Sequence, residues 1–232
     1  MFRFLILFFT ILTSVNLMAQ QLRVLVIPFD KFQFECNMTT SEIALYNELS
    51  GADQVYDVYT QALLEAINES SDSLSIYEMD ENSLNLIRRQ LPRVYKREPI
   101  SHNGVDIEAY AKSGDLKKLL ENMGADYLMV ISRYKIMGKI ITARGSWSSS
   151  AGFINWSIHQ VDYEIFNAEG DLVALADRFT IRPRNPRNET YTTQGTLTED
   201  LWIGMLKLGL DIEQKLLKYQ KKGKVVYKSK IK

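Results

Sequence analysis

Met123-Gly124-Ala125-Asp126-Tyr127-Leu128-Met129-Val130-Ile131-Ser132-Arg133-Tyr134 is the stretch that decides the architecture of this chain. Upstream of it, Asp115–Met123 reads as a helical segment, and Gly124 stands where a C′ residue belongs. Glycine takes the left-handed conformation there without a Cβ penalty and lets Ala125 approach closely as the next element begins. Downstream, Tyr127–Tyr134 is a nearly unbroken apolar run, the pattern of a strand buried on both faces. A helix passing through glycine into a buried strand points to helices laid on a sheet.

The neighbouring segments fit that frame. Leu22-Arg23-Val24-Leu25-Val26-Ile27-Pro28-Phe29 is a second buried strand, closed by Pro28. Residues 30–52 are mixed, with a short helix near Ser41–Leu49 and a break at Gly51. Asp53 stands at an N-cap position, and Val55, Val58, Tyr59, Ala62, Leu63, Ala66 and Ile67 recur at helical spacing on one stripe. Leu74–Met79 alternates as a strand, Asn82–Leu91 suits a helix ended by Pro92, Val94–Gly104 reads as a polar loop, and Val105–Ala111 as another helical segment.

Beyond the deciding stretch, Gly138–Gly152 reads as a flexible Gly/Ser connection containing Trp147. Ile154–Ile165 alternates in part, with a change of apolar face that predicts a bulge near His159-Gln160 or burial on both sides. Asn167–Asp171 is hairpin-turn chemistry joining it to Leu172–Ile181. Arg182–Thr193 is a polar loop, and Thr196 with Glu199 forms a capping box for a long final helix. Leu201, Met205, Leu208, Ile212 and Leu216 share one stripe, which Trp202, Leu206, Leu210 and Leu217 widen in the manner of a helix buried between layers, with a partner-binding face as the alternative. Gly223 stops that helix, and Val225–Tyr227 suits an edge strand. The expected fold is α/β (α+β) in class: one mixed sheet covered by helices, in the order β-α-β-α-α-β-β-β-α, with a long C-terminal helix.

The chain opens with one positive charge at Arg3, an apolar run from Phe4 to Val15 and a small residue at Ala19, as a secretory signal does. Cleavage is expected between Ala19 and Gln20, giving a signal over 1–19, one domain over 20–222 and a basic tail over 223–232. Gln20 offers no thiol for lipidation, so a peripheral or soluble periplasmic protein is expected rather than a lipid-anchored one. The single Cys36 cannot staple the fold. It reads as a small apolar residue in a loop or strand edge, with an intermolecular disulfide as the alternative. Formal charge sums to zero, yet Lys215–Lys232 holds eight lysines and no acid, leaving residues 20–214 at −9. An acidic body with a basic tail excludes nucleic acid as the expected partner. The tail reads as a solvated, partly frayed terminus, and in the sharper reading Lys221, Lys222, Lys224 and Lys228 are candidate contacts to anionic lipid or to the acidic body of a neighbouring copy.

Catalytic signatures are sparse. His102 and His159 both read as surface or hairpin histidines, with no G-x-S-x-G motif beside either. No zinc spacing and no phosphate-cradling glycine run occurs. Asp30 with Glu35, and Asp162 with Glu164, read as solvated carboxylates. Trp156 and Trp202 suit core positions, leaving Trp147 as the exposed aromatic to test. No catalytic residue, cofactor or metal is expected.

Gly124-Ala125-Asp126-Tyr127, set between Met123 and the strand Leu128-Met129-Val130, resembles a signature of a superfamily of bacterial envelope proteins. That superfamily includes the curli-secretion channel lipoprotein, the amino-terminal domain of TolB and the lipoprotein activators of penicillin-binding proteins. The opening strand, the Val55–Ile67 helix leading to Leu74–Met79, and the turn Phe166–Val173 extend the resemblance over most of residues 22–181. It implies a non-enzymatic α/β domain that binds envelope proteins, and it transfers a scaffold, not an active site. The leading expectation is a periplasmic interaction module assisting envelope assembly or secretion at the outer membrane, with envelope proteins or itself as partner. A ring-forming outer-membrane pore built from hairpins around Gly138–Gly152, and a small-ligand or glycan-binding protein using Trp147, are the alternatives.

Overall fold

Leu22–Ile27 (β1) runs through the middle of a sheet, with parallel neighbours on both sides. The computed structural model of the protein describes residues 21–91, 93–96, 102–142, 153–183 and 198–227. Along the chain the remaining strands are β2 (Phe34–Cys36), β3 (Leu74–Glu78), β4 (Arg93–Lys96), β5 (His102–Val105), β6 (Tyr127–Thr142), β7 (Phe153–Phe166) and β8 (Leu172–Ile181). The helices are α1 (Thr40–Tyr46), α2 (Gln54–Ser70), α3 (Glu81–Gln90), α4 (Ile107–Lys112), α5 (Asp115–Met123) and α6 (Thr198–Lys222). The main sheet has the order β3-β1-β6-β7-β8, with β2 paired to β6. β1, β2, β3 and β6 are parallel, while β6, β7 and β8 form an antiparallel meander. The protein is α/β, a single mixed sheet covered by helices and closed by a long C-terminal helix, with the β4–β5 pair as a small separate sheet.

Both faces of the sheet are covered, which is why β1 and the start of β6 are continuously apolar. Val24, Val26, Tyr127, Met129 and Ile131 join one core with α1, α2 and α6. Leu25, Ile27, Leu128 and Val130 join the other with α3, α4 and α5.

The Gly124 passage forms as its residues dictate. Gly124 has φ +65°, its N–H donates to Glu121 O at 3.2 Å, and the Ala125 N–H donates to Leu120 O at 2.9 Å. This pair of bonds satisfies the last carbonyls of α5 in a Schellman motif. Asp126 then clamps the new strand to β1: its N–H donates to Arg23 O at 2.8 Å and its carboxylate accepts the Arg23 N–H at 2.9 Å. Tyr127 follows, opposite Val24 in the parallel ladder.

Several elements depart from the sequence reading. Asp53 makes no side-chain cap; instead Gln54 Oε1 accepts from Ser50 N–H and Oγ, both at 3.0 Å. The expected loop Val94–Gly104 contains two paired strands, Arg93 facing Val105 and Lys96 facing His102. Gly138–Thr142 is no flexible connection: it is the end of β6, paired residue by residue with Phe153–Ser157. The rest of that connection, with Trp147, lies outside the described residues, as do residues 1–20, Thr196 of the capping box and Lys228.

The bulges fall in different strands from the one expected. β7 pairs without interruption at His159-Gln160, and its neighbours carry the irregularities. β6 holds an extra residue between Ile131 and Arg133, and β8 holds one between Ala176 and Phe179, where Arg178 has φ +53°, and another at Val173. The first two flank Asp162-Tyr163. The tail does return to the sheet: Val226 N–H donates to Val173 O at 3.1 Å beside β8.

Candidate functional site

Among the described residues, three polar clusters, one crevice and one groove are places where chemistry or binding could reside. The first cluster surrounds His159, which is fully buried rather than on the surface. Its Nδ1 meets Tyr134 Oη at 2.8 Å and its Nε2 meets Ser157 Oγ at 3.3 Å, with the rings of Tyr59 and Tyr134 edge-on at 5.2 and 5.5 Å. A serine beside a histidine is nucleophile chemistry only where a substrate can reach it and a third group orients the base. Here both are sealed in the core and the ring is held by a tyrosine whose ionisation burial opposes. This is a packing device.

Asp162 is the second correction, being 3% exposed instead of solvated. Its Oδ1 accepts the bulged Arg178 N–H at 2.7 Å, and its Oδ2 lies 2.9 Å from Arg133 Nε. That second contact is not aligned as a hydrogen bond, so it is Coulombic. Burial pushes the Asp162 carboxyl up, against the Arg178 N–H and the Arg133 charge that pull it down. Asp30 and Glu35, the other carboxylate pair, serve separate ion pairs, with Arg88 at 3.9 Å and with Lys135 at 3.1 Å.

The third cluster was missed entirely. Lys215, counted with the basic tail, is 2% exposed inside the core. Its Nζ donates to Asp211 Oδ2 at 2.7 Å, to Leu175 O at 2.8 Å and to Tyr163 Oη at 3.1 Å, while Tyr163 donates to Asp211 Oδ2 at 2.7 Å. Burial holds the Lys215 ammonium below its ordinary range, against the pull of Asp211. The available signal was an Asp-to-Lys pair four residues apart, alongside the stripe Leu208, Ile212 and Leu216. The ammonium, the hydroxyl and Asp211 Oδ2 satisfy one another inside the core, so the cluster fastens α6.

The crevice lies just past the end of β1, beside Val130 and Ile131 of β6. Here it is filled from within: Arg88 Nη2 donates to Pro28 O at 2.9 Å, and Asp30 Oδ1 accepts the Phe32 N–H at 2.7 Å. About 20 Å³ remains, room for one water.

The groove is larger, about 560 Å³, between α2 and the first turns of α6. Val58, Ala62, Trp202 and Ile203 supply apolar surface; Glu65, Glu199 and Asp200 supply negative charge. Ile203 is 46% exposed, and Trp202, expected in the core, is half-buried at the groove wall. Close approach of the two helices sets its shape. A Cβ on Gly209 would strike the Ser70 side chain and come within 2.9 Å of Ile67 Cα.

Other expected site residues are not gathered here. Gly124, Ala125, Asp126 and Tyr127 form the α5–β6 junction. Lys221, Lys222 and Lys224 are exposed at or beyond the opposite end of α6, the helix itself being about 36 Å long. Cys36 is half-buried in β2, and burial pushes its thiol up, away from the reactive thiolate. Among the described residues no group of three His, Cys, Asp or Glu side chains could hold a metal ion, and no helix is long and apolar enough to cross a membrane.

No family model matches the chain, and no curated protein does. Among solved structures, the hypothetical protein CT253 from Chlamydia trachomatis is similar at 10% identity and a TM-score of 0.31, over 87% of this chain and 96% of that one.

Proposed function

We propose that this protein is a non-catalytic interaction module of the bacterial periplasm that assists envelope assembly or secretion at the outer membrane. The observation that carries the reading is the acid-lined groove between α2 and α6, with Ile203 exposed and Trp202 half-buried in its wall. An exposed apolar surface bordered by charge is the usual form of a protein-docking site. The signal-like start and the Gly124–Tyr127 resemblance to envelope proteins support the compartment and the partner class. A photo-reactive residue in place of Ile203, used in intact cells, tests it. One envelope protein should be captured reproducibly, and capture should fall when Trp202→Ala is added. Retention of the protein in the cytoplasm would defeat the reading.

A pore is the second reading, favoured by the length of the β6–β7 ribbon. Six residue pairs, from Met137 opposite Ile158 to Thr142 opposite Phe153, run past the last partners of β2 and β8. A strand crossing the outer membrane needs about 9–11 residues, more than this described extension provides. Steady ion conductance in planar bilayers would promote the pore; its absence leaves the module.

A further inference from the structure

We infer that the α2–α6 groove receives the basic C-terminal segment of a second copy of this chain. Both halves of the contact are written in the same molecule. The groove presents Glu65 and Glu199, neither with an ion-pair partner among the described residues, next to Trp202 and Ile203. The segment Tyr227-Lys228-Ser229-Lys230-Ile231-Lys232 alternates lysine with serine and isoleucine and opens on a tyrosine. Tyr227 is 61% exposed. An apolar wall between carboxylates suits such a segment: the lysine heads meet the acids, while Tyr227 or Ile231 covers the exposed wall.

Its own groove is out of reach. Val226 is held beside Val173 and Leu175 at the outer edge of β8, at the level where Lys215 meets the Leu175 carbonyl. The α6 residues of the groove, Ile203 back to Glu199, lie twelve to sixteen helical residues from Lys215, about 18–24 Å along α6. Lys232 stands six residues past Val226, an extended reach of about 20 Å, which leaves nothing for the passage around a helix about 10 Å across. The segment also starts beyond β8, with the α6 cylinder between it and the groove. The contact therefore joins two copies, and because tail and groove are different surfaces it is heterologous, building rings or open chains.

The inference rests on the module reading for its claim that the groove is a docking surface, and adds one partner to it. Sedimentation of the full chain over a wide concentration range should show association beyond a dimer. Deleting Lys228–Lys232 should leave a folded monomer, since Val226 and all helices remain. A labelled Tyr227–Lys232 peptide should bind that monomer. Glu65→Lys with Glu199→Lys, checked for unchanged circular dichroism, should weaken peptide binding at least about tenfold, as should 1 M salt, where charges are screened within about 3 Å. A full chain that stays monomeric, association indifferent to the deletion, or equal binding of a sequence-scrambled peptide overturns the inference. If Ile203 still captures an envelope protein from a monomer, the tail contact fails and the module reading stands.

Discussion

Replacing Lys215 by Met tests whether the Asp211–Lys215–Tyr163 cluster is the rigid fastening its distances describe. Met matches the length of the lysine stem and keeps the apolar contacts of α6, so the change removes mainly charge and donors. Asp211 is 3% exposed and would retain the Tyr163 hydroxyl as a donor, while Leu175 O would lose the Lys215 ammonium. Removing one member of a buried ion pair costs about 3–5 kcal/mol, because the remaining charge is desolvated without compensation. Against a total stability of about 5–15 kcal/mol this is a large fraction. At about 2–4 °C per kcal/mol for a domain of this size, the midpoint should fall by roughly 6–20 °C. Urea unfolding followed by circular dichroism gives the free energy, and thermal melting gives the midpoint. The companion variant Asp211→Leu with Lys215→Met removes both charges and should recover to within about 1–2 kcal/mol of the parent. A Lys215→Met protein that loses less than about 1 kcal/mol, or a double variant as unstable as the single one, would refute the reasoning.

Gly124→Val should cost about 1–3 kcal/mol, measured by urea unfolding, because φ +65° strains a β-branched residue; the nearest obstacle to its Cβ, an Arg23 nitrogen at 3.3 Å, can move aside. Asp162→Asn should flatten the acid limb of the stability profile. The raised carboxyl binds its proton more tightly in the folded chain, so from its ordinary value up to the raised one parent stability falls as pH rises. Denaturation midpoints across that window should show the slope in the parent and lose it in the variant. Amino-terminal sequencing of protein from the periplasm should begin within a residue or two of Gln20, and a retained Met1 would contradict export.

What could be read from residue order alone followed from local rules. The Gly124 turn, the two-faced burial of β1 and β6, and the stripe Leu201–Leu216 depend on periodicity and on one residue's conformational freedom, all of which are local. Polar burial does not work that way. His159, Asp162 and Lys215 looked like surface residues because their partners (Tyr134, Arg133, Tyr163) come from other strands, brought together only by the register of the sheet. The bulges were misplaced for a related reason. β7 itself pairs without interruption, and the extra residues sit in its neighbours. The ribbon beyond Met137 was hidden because Gly138–Thr142 runs straight into a sequence rich in glycine and serine, which by itself signals a loop. The groove could not be anticipated, because Glu65 and Glu199 are far apart in the chain and meet only through the crossing at Gly209.

That fastening of α6 has a consequence for the surface at its other end. A one-residue slip of a long helix on a sheet turns it by about 100° and moves it about 1.5 Å, which here would also break the Gly209 contact with α2 and expose the Leu201–Leu216 stripe. The Lys215 ammonium, pinned to the Leu175 carbonyl, adds a polar key to that packing, fixing rotation and advance together. Because a helix is stiff, the setting is transmitted about 18 Å to Ile203, twelve residues upstream. Which face of the first two turns looks across at α2 is thus decided deep in the core. A loosened peg would leave every groove residue present and mis-indexed, a loss of recognition preceding any loss of fold.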